Sequence, residues 1–250
     1  MTPFLFSTAH FSGRFDKPLK RQVAYMADVL YPAAAVVTFT EQAGDDLSRD
    51  RAFSAAGRDF YRALGDFGPD ECVIAWDGDA FNLAGEPHTA GLTTRTYKRR
   101  SGATAPPCHA VFVPLVPAIA PGRAPIWFVA VHMPVRNTDL RREVWDAAAR
   151  GLVGHIADLR REDSTARFVV SGDWNVNHRT TAGRNMMRAA LTGAGLTSCW
   201  RPAQLPPAGT HGRRRLIDAT WTDLPCRSAR LLPDAPAASD HRAYVVEVIA

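Results

Sequence analysis

Apolar residues occur along the chain in short, nearly continuous runs, separated by polar stretches that contain glycine and proline. Runs of this length, bounded by turn-forming residues, are typical of buried strands. We predict single strands at 4–11, 34–41, 92–97, 109–116, 124–134, 166–173, 215–223 and 243–250, and a strand, turn and strand over 71–85.

Apolar residues at intervals of three and four predict helices between some of these strands. The segment 16–32 has this spacing, and Pro18 lies in its first turn, where proline is tolerated. A longer apolar stripe runs from Leu140 to Leu159, and Thr138 precedes it as a candidate N-cap. Two further helices are predicted at 49–65 and 182–194.

Predicted strands outnumber predicted helices and often follow one another directly, so a simple βαβ repeat does not describe the chain. No internal repeat or linker divides it, and the proline-rich patches at 201–207 and 233–237 are short enough to be loops. We therefore predict one α/β domain over residues 1–250, with sheets packed together and helices outside.

Composition sets outer limits on this picture. The 250 residues are 46% hydrophobic and 22% charged, which is ordinary for a globular protein and argues against disorder. The formal net charge of +5 suits a polyanionic substrate without requiring one. No apolar stretch approaches the roughly 18 residues that span a bilayer, so we expect no membrane span.

The cysteines are scattered and form no CxxC pair; they are Cys72, Cys108, Cys199 and Cys226. This distribution favours reduced, packed thiols over a zinc site, while the sequence leaves disulfide pairing open. The N-terminal stretch lacks the basic region and the long apolar core of a signal peptide. We expect a cytoplasmic protein that is a monomer.

Candidate chemistry appears at the ends of the predicted strands. The stretch SGDWNVN (171–177) directly follows a strongly apolar run and contains Asp173 and Asn175. Turn formation explains each such residue alone, because Gly, Asp and Asn favour turns. The pattern recurs, however, at residues that end, interrupt or precede other predicted strands, namely Glu41, His132, Asp218, Asp240 and His241.

These residues meet at one rim if the last strand runs antiparallel to the others. Crowding several carboxylates at one place costs several kcal/mol unless a cation or hydrogen-bonding partners compensate. Hard oxygen ligands with few histidines and no cysteines favour Mg²⁺ or Mn²⁺. The pattern therefore predicts a site for one of these cations.

Five short motifs, in this order and spacing, resemble those of the endonuclease/exonuclease/phosphatase superfamily: FTEQ, VAVHMP, SGDWNVN, LIDATW and SDHRAYVVEV. Its members include pancreatic deoxyribonuclease, apurinic endonucleases, inositol polyphosphate phosphatases and bacterial sphingomyelinases. The matches extend over nearly the whole chain. The resemblance implies a metal-dependent phosphoesterase with a four-layered α/β/β/α sandwich of two packed mixed sheets and outer helices.

The resemblance also implies which residues hold the metal. Glu41 matches the glutamate that ligates the divalent cation, and Asp240 matches a second carboxylate on the metal side. His10 stands where the superfamily usually has an asparagine, at the end of the first strand. A histidine there either ligates the metal or forms hydrogen bonds, or it marks altered metal binding.

The remaining matches imply roles around the phosphate. His132 matches the histidine that contacts the scissile phosphate or protonates the leaving oxygen. Asp173 and Asn175 match the pair that orients the nucleophilic water and steadies the transition-state phosphate. Asp218 matches the carboxylate that supports the final histidine, His241. The sequence does not decide whether Asp173 or His241 takes the proton from the water.

A glutamate that partners His132 is not identifiable in the sequence, and Asp77 and Asp79 are only candidates. Two basic runs, RTYKRR (95–100) and HGRRRL (211–216), offer candidate contacts to a nucleic-acid backbone. Solvated loop charges explain these runs equally well. The candidate substrate-binding residues are Arg95, Lys98, Arg99, Arg100, Arg213 and Arg214.

The leading hypothesis is a divalent-metal-dependent phosphodiester hydrolase, a nuclease that acts on DNA. No base-reading motif is present, so contact with the phosphate backbone is expected without sequence specificity. The second hypothesis is a phosphatase or phosphodiesterase that acts on a small molecule or a lipid head group. The third is a degenerate member that binds nucleic acid without cutting it, although the completeness of the other motifs argues against this.

Overall fold

The computed structural model describes residues 4–12, 19–41, 50–51, 53–54, 57–62, 72–98, 102, 104–212, 214–235 and 238–250. Within these residues, a six-stranded sheet packs against a seven-stranded sheet. Both sheets contain parallel and antiparallel pairs.

The first sheet is built from β1 (Leu5–Ser12), β2 (Val36–Thr40), β3 (Arg58–Arg62), β4 (Val73–Asp77), β12 (Cys226–Leu231) and β13 (Tyr244–Ile249). Its strand order is β12-β13-β1-β2-β4-β3. β2 runs parallel to β1, whereas β13 runs antiparallel to β1 with Tyr244 opposite His10. The segment that precedes β13 therefore lies at the edge where β1 and β2 end.

The second sheet is built from β5 (Phe81–Leu83), β6 (His88–Gly91), β7 (His109–Pro117), β8 (Ile126–His132), β9 (Arg167–Asp173), β10 (Thr197–Ser198) and β11 (Asp218–Thr222). Its order is β10-β11-β9-β8-β7-β5, and β6 also pairs with β7. β8 and β9 are parallel, whereas β11 is antiparallel to β9.

Helical segments lie outside the two sheets. They are α1 (Leu19–Tyr25), a π-helical turn (Met26–Leu30), α2 (Tyr31–Ala33), α3 (Asp139–Glu162) and α4 (Thr181–Leu191), with 3₁₀ turns at Thr192–Ala194 and Pro202–Gln204. Thr138 caps α3 as predicted, because its side chain accepts a hydrogen bond from the Arg141 amide. Among the described residues, no helix combines the length and apolar character required to cross a membrane.

Alternation along β1 divides the interior into two cores. Phe6 belongs to the core between the sheets, which continues beneath α3 and α4. Ala9 and Phe11 point the other way and pack with residues of α1 and the π-helical turn. The layers are thus helix, sheet, sheet and helix, which confirms the predicted α/β/β/α sandwich. The four cysteines are free thiols.

Two predicted elements differ from the structure, and two strands were not predicted. The helix predicted at 49–65 is wrong over residues 58–62, which form β3 and pair with β4, although residues 50–51 and 53 are helical. The strand predicted at 92–97 is wrong as well, because the strand is β6, at residues 88–91. The two strands that were not predicted are β10 and β12. β3 and β12 are sheet edges with half-exposed polar side chains, so their apolar period is weak.

Candidate active site

The centre of the candidate site is Asp173, the last residue of β9. Its neighbours in register are His132 on the parallel strand β8 and Asp218 on the antiparallel strand β11. Strand register alone therefore places a carboxylate between an imidazole and a second carboxylate. Side chains that lie opposite each other on adjacent strands are close enough to interact.

A hydrogen-bonded pair stands on one side of Asp173. The Nδ1 atom of His241 lies 2.9 Å from Oδ2 of Asp218, and the Nε2 atom of His241 lies 3.9 Å from Oδ2 of Asp173. Burial opposes the charge on His241, but the charge and hydrogen bond of Asp218, with Asp173 and Glu41, raise its pKa to about 10. The imidazole is therefore held in one orientation and favoured as a cation.

Asp218 is the most enclosed carboxylate of the group, with a side chain that is 1% exposed. Burial disfavours its charge, but the attraction and hydrogen bond of His241, with His10 on the other side, hold its pKa below the usual range. The indole of Trp200 donates to its backbone carbonyl at 3.0 Å, which fixes the strand locally. The ionised form of Asp218 is consequently favoured between two imidazoles.

Asp173 has the opposite electrostatic character. Burial, followed by repulsion from Asp218, raises the pKa of its carboxyl to about 7, against the attraction of His241 and His132. Its Oδ1 atom accepts a hydrogen bond from the Asn175 amide at 2.8 Å. A carboxyl group with this pKa exchanges a proton easily near neutral pH.

Asn175 has a left-handed backbone, with φ of 53°, and its side-chain amide donates to the Met133 carbonyl at 2.8 Å. This bond ties the turn after β9 to the turn after β8. The oxygen of the side chain is thereby given a fixed position at the rim beside Asp173.

Glu41 follows β2 and enters the site from the opposing sheet. Its backbone is also left-handed, with φ of 58°, and its Oε1 atom lies 3.9 Å from Nε2 of His132. Burial raises the pKa of Glu41, and Asp240 and Asp218 raise it further against the pull of His132 and His241. The two sheets thus contribute carboxylates that repel each other across one gap.

His10 lies behind these groups, with 1% of its surface exposed. Its Nδ1 atom is 3.0 Å from the Thr38 hydroxyl, and its Nε2 atom is 3.4 Å from Oδ1 of Asp218. Burial lowers the pKa of His10 despite this carboxylate. His10 thus contacts Asp218 on the side away from His241, and it belongs to none of the candidate cation groups among the described residues.

Asp77 and Asp79 do not lie near His132. The Asp77 amide donates to the Ala35 carbonyl, at the start of β2, whereas Glu41 lies beyond the end of that strand. The two candidate partners of His132 are therefore at the wrong edge of the sheet. His132 instead lies 3.9 Å from both Glu41 and Asp173.

His211 is a site residue that the sequence did not reveal. Its Nε2 atom lies 3.6 Å from Oδ2 of Asp240, and its ring centroid is 4.7 Å from that of His241. The Arg215 guanidinium donates to its Nδ1 atom at 2.9 Å. The proton of a neutral His211 must then be on Nε2, facing Asp240. A single histidine in a long loop carries no periodic signal.

The groups surround a cleft of about 590 Å³. Arginines line it on both sides, since Arg141 belongs to the first turn of α3 and Arg215 precedes β11. The predicted contacts Arg95, Lys98 and Arg214 are not among its lining residues. Arg95 pairs with Glu143, and Lys98 donates to Thr104. Arg99, Arg100 and Arg213 lie outside the described residues.

Three groups of side chains in this site have the ligand chemistry of a divalent cation: Glu41, His132 and Asp173; Asp173, Asp218 and His241; and His211, Asp240 and His241. Their donors are carboxylate oxygens, which suit Mg²⁺ or Mn²⁺, and imidazole nitrogens, which suit transition metals. A bound cation would reduce the electrostatic repulsion between these half-buried carboxylates. The donor set therefore fits a divalent metal.

Comparison with solved structures agrees with this architecture. An endonuclease/exonuclease/phosphatase family protein from Bacteroides thetaiotaomicron matches with a TM-score of 0.75 and 14% identity, over 99% of this chain and 96% of its own. A mannosyl-6-phosphatase from the same species matches with a TM-score of 0.72 and 13% identity, over 98% of this chain and 100% of its own.

ANGEL2, described as a 2′,3′-cyclic phosphatase, matches with a TM-score of 0.71 and 11% identity, over 99% of this chain and 95% of its own. No protein-family model matches the chain, and no curated protein matches it in sequence. At these identities the structural similarity shows the fold, which is that of the endonuclease/exonuclease/phosphatase proteins. The fold expected from the sequence motifs is therefore confirmed.

Proposed function

We propose that this protein is a divalent-metal-dependent phosphodiester hydrolase that acts on DNA. The observation that carries the proposal is the flanking of Asp173, in strand register, by His132 and by the Asp218–His241 pair. Phosphodiester hydrolysis needs an aimed water, positive charge at the phosphoryl oxygens and a proton route to the leaving group. The cleft contains residue types for each requirement.

Asp173 is proposed as the general base. Its pKa of about 7 lets it accept a proton from water, whereas His241, with a pKa of about 10, is already protonated at neutral pH. His241 would then stabilise negative charge on the phosphate, with Asp218 fixing its ring. The Asn175 amide would help to position the phosphate, because its side chain is anchored at the same rim.

Glu41 and Asp240, which both belong to the edge of the first sheet, are proposed to hold the metal, and a bound Mg²⁺ or Mn²⁺ would supply positive charge at the phosphoryl oxygens. His132 lies between Glu41 and Asp173 and would contact the phosphate or protonate the leaving oxygen. His10 is proposed to support Asp218 from behind, in place of a direct ligand role.

DNA is the proposed substrate because the net charge is +5 and Arg141 and Arg215 line the cleft. A small phosphoester is the second candidate. Two proteins of the same fold are described as a 2′,3′-cyclic phosphatase and a mannosyl-6-phosphatase, and the cleft is large enough for a whole small ligand.

A substrate panel tests the proposal. Purified protein would be incubated with Mg²⁺ or Mn²⁺ and plasmid, abasic-site duplex, single-stranded DNA, inositol phosphates or mannose 6-phosphate, with Asp173→Asn as the background control. Cleavage of DNA that is lost in the control supports the nuclease. Turnover of a small phosphoester alone would overturn DNA as the proposed substrate. Inactivity on every substrate would overturn the proposed phosphodiesterase activity.

A further inference from the structure

We propose that Tyr97 and Arg141 form a binding site for a nucleobase, in the wall of the cleft beside the catalytic cluster. The inference deepens the proposed function, on which it rests, because the base would belong to the nucleotide whose phosphate the cluster receives. It also gives the protein a means to prefer nucleotides over sugar phosphates.

The two side chains form one stack. The guanidinium carbon of Arg141 lies 4.5 Å from the centroid of the Tyr97 ring. Both residues line the same cleft as His132 and Asp173. We call this pair the Tyr97–Arg141 stack. Aromatic rings and guanidinium planes are the two protein surfaces on which unpaired bases stack.

Hydrogen bonds join Tyr97 and the residue after it to Thr104 and Ala105. The Tyr97 carbonyl accepts from the Ala105 amide at 2.8 Å, and Lys98 Nζ donates to the Thr104 hydroxyl at 2.7 Å. Pro106 and Pro107 follow and also line the cleft. The cleft that contains the stack therefore also offers apolar surface, which suits the face of a planar ring better than a phosphate.

The charge of Arg141 has no structural explanation within its helix. It stands in the first turn of α3, where the helix dipole disfavours a cation. Its neighbours Arg136 and Arg142 pair with Asp146 and Asp139. In the part of the chain that the structure describes, no carboxylate pairs with Arg141. A stacked, unneutralised guanidinium at this place suits an anionic ligand with an aromatic ring.

The size of the cleft supports a ligand larger than a phosphate. Its volume of about 590 Å³ is within the range of sites that enclose a whole small ligand. Stacking is tolerant of base identity, because every base has a π face. This agrees with the lack of a base-reading motif in the sequence.

The test compares two ligands that differ only in the base. Dissociation constants of dAMP and 2-deoxyribose 5-phosphate would be measured by calorimetry with Mg²⁺, in the Asp173→Asn background so that nothing is turned over. We expect dAMP to bind about tenfold to a hundredfold more tightly, the stacking contribution of one base.

Substitutions locate the preference. Tyr97→Leu should bring the two dissociation constants together, and Tyr97→Trp should keep them apart because it retains a π face. Arg141→Lys should reduce the preference while keeping the charge. Arg142→Gln is the matched control, since Arg142 is exposed, pairs with Asp139 and does not line the cleft. It should change neither constant.

Equal affinity for the two ligands in the Asp173→Asn protein overturns the inference, as does the absence of binding by both. A preference that survives in both Tyr97→Leu and Arg141→Gln, with melting temperatures unchanged, also overturns it. The binding test needs no turnover. If the protein prefers dAMP but cleaves no DNA, the base-binding role of the Tyr97–Arg141 stack is supported and the proposed nuclease activity is overturned.

Discussion

At the scale of single residues, the site is defined by opposed electrostatic environments around adjacent carboxyl groups. Asp173 and Asp218 are in register on neighbouring strands and are both almost fully buried. The hydrogen bond from His241 and the nearby His10 favour the ionised form of Asp218, whereas Asp173 has an elevated pKa. Two carboxyls with pKa values pushed apart can take different parts in one reaction.

Asp173→Asn tests the central role. The change preserves size and hydrogen bonding but removes basicity, so we expect kcat to fall about 10²–10⁴-fold with little change in melting temperature. The matched control is Asp163→Asn. Asp163 accepts a hydrogen bond from the amide two residues ahead at 2.8 Å, as Asp173 does, but it lies in an exposed turn.

The Asp163 change should leave kcat unaltered. The double change Asp173→Asn/His241→Ala should cost much less than the product of the single effects, because groups that act as a unit are not additive. An Asp173→Asn protein with wild-type kcat on its best substrate would falsify the role of general base.

Metal binding has a readout that does not depend on activity. A cation that binds only the folded protein stabilises it by about 2.7 kcal/mol at a hundred times its dissociation constant. Mg²⁺ or Mn²⁺ should therefore raise the melting temperature of the wild type, and Glu41→Gln should abolish most of the rise. Glu162→Gln, at the exposed end of α3, is the control. Full turnover in excess EDTA would contradict the metal requirement.

We expect His178, which lies outside the catalytic cluster, to make the stability of the folded protein sensitive to acid. It is 1% exposed, neither ring nitrogen has a hydrogen-bond partner among the described residues, and burial lowers its pKa to about 4. Between pH 6.5 and 4 the unfolded chain binds this proton and the folded protein does not. Stability should therefore fall as the pH falls through this window, by up to about 3 kcal/mol.

His178→Leu should remove this part of the pH dependence, as measured by urea unfolding at several pH values in EDTA. Asp173 contributes to the free energy of unfolding with the opposite pH dependence, because its pKa is raised in the folded protein. Its stabilising contribution is present below pH 4 and is lost as the pH rises through 7. An unchanged acid slope in His178→Leu would contradict the burial argument.

At the scale of elements, close backbone packing holds the helices and strands around the site. In the middle of α3, a Cβ atom at Gly151 would lie 1.9 Å from the carbonyl oxygen of Leu92. At Gly154, one turn further along, a Cβ atom would meet nothing within 4 Å. The glycine at 151 therefore allows the chain before β7 to approach the helix directly.

Alanine at these glycines should have opposite effects on stability. Gly154→Ala should stabilise by about 0.5–1 kcal/mol, the usual gain of alanine over glycine in a helix. Gly151→Ala should destabilise by about 1–3 kcal/mol, because α3 must move away from Leu92. Urea unfolding measures both, and stabilisation by Gly151→Ala would contradict the described contact.

Much of the element pattern was predictable from sequence because buried strands give long apolar runs and α3 has a clear stripe. Edge strand β3 was missed, since its pairing partner, and not its own period, determines its structure. His211 was missed for a related reason. Its neighbours are set by loop closure, in which the Arg242 amide donates to the Thr210 carbonyl. The motifs located Asp173, Asp218 and His241, but the sequence did not show that His10 lies against Asp218.

At the scale of the whole molecule, the two sheets bring the ends of β2, β8 and β9 together at the cleft, and the chain as a whole has a net positive charge. With a net charge of +5, DNA binding should weaken as salt rises, because phosphate contacts release counterions. The loop arginines predicted from sequence remain candidates for some of these contacts.

Neutralising these arginines tests the substrate. The combined change of Arg99, Arg100, Arg213 and Arg214 to Gln should flatten the log–log salt dependence of DNA binding by about one unit per lost contact. Hydrolysis of a small phosphodiester should stay nearly intact. Arg150→Gln and Arg188→Gln, exposed on α3 and α4, form the control. A parallel loss of both activities would mean that the loop arginines act in folding or catalysis.

The left-handed backbones of Glu41 and Asn175 have a consequence for engineering. They are the two non-glycine residues with positive φ among those described, and each stands at the rim of the cleft. Glycine adopts this conformation without the steric penalty that a side chain incurs, so selection for heat resistance alone should favour it at both positions. A library of variants at these two positions, selected for heat resistance, would therefore enrich stable but inactive proteins. The two strained backbone conformations would mark the positions at which the protein is less stable because it keeps an active-site side chain.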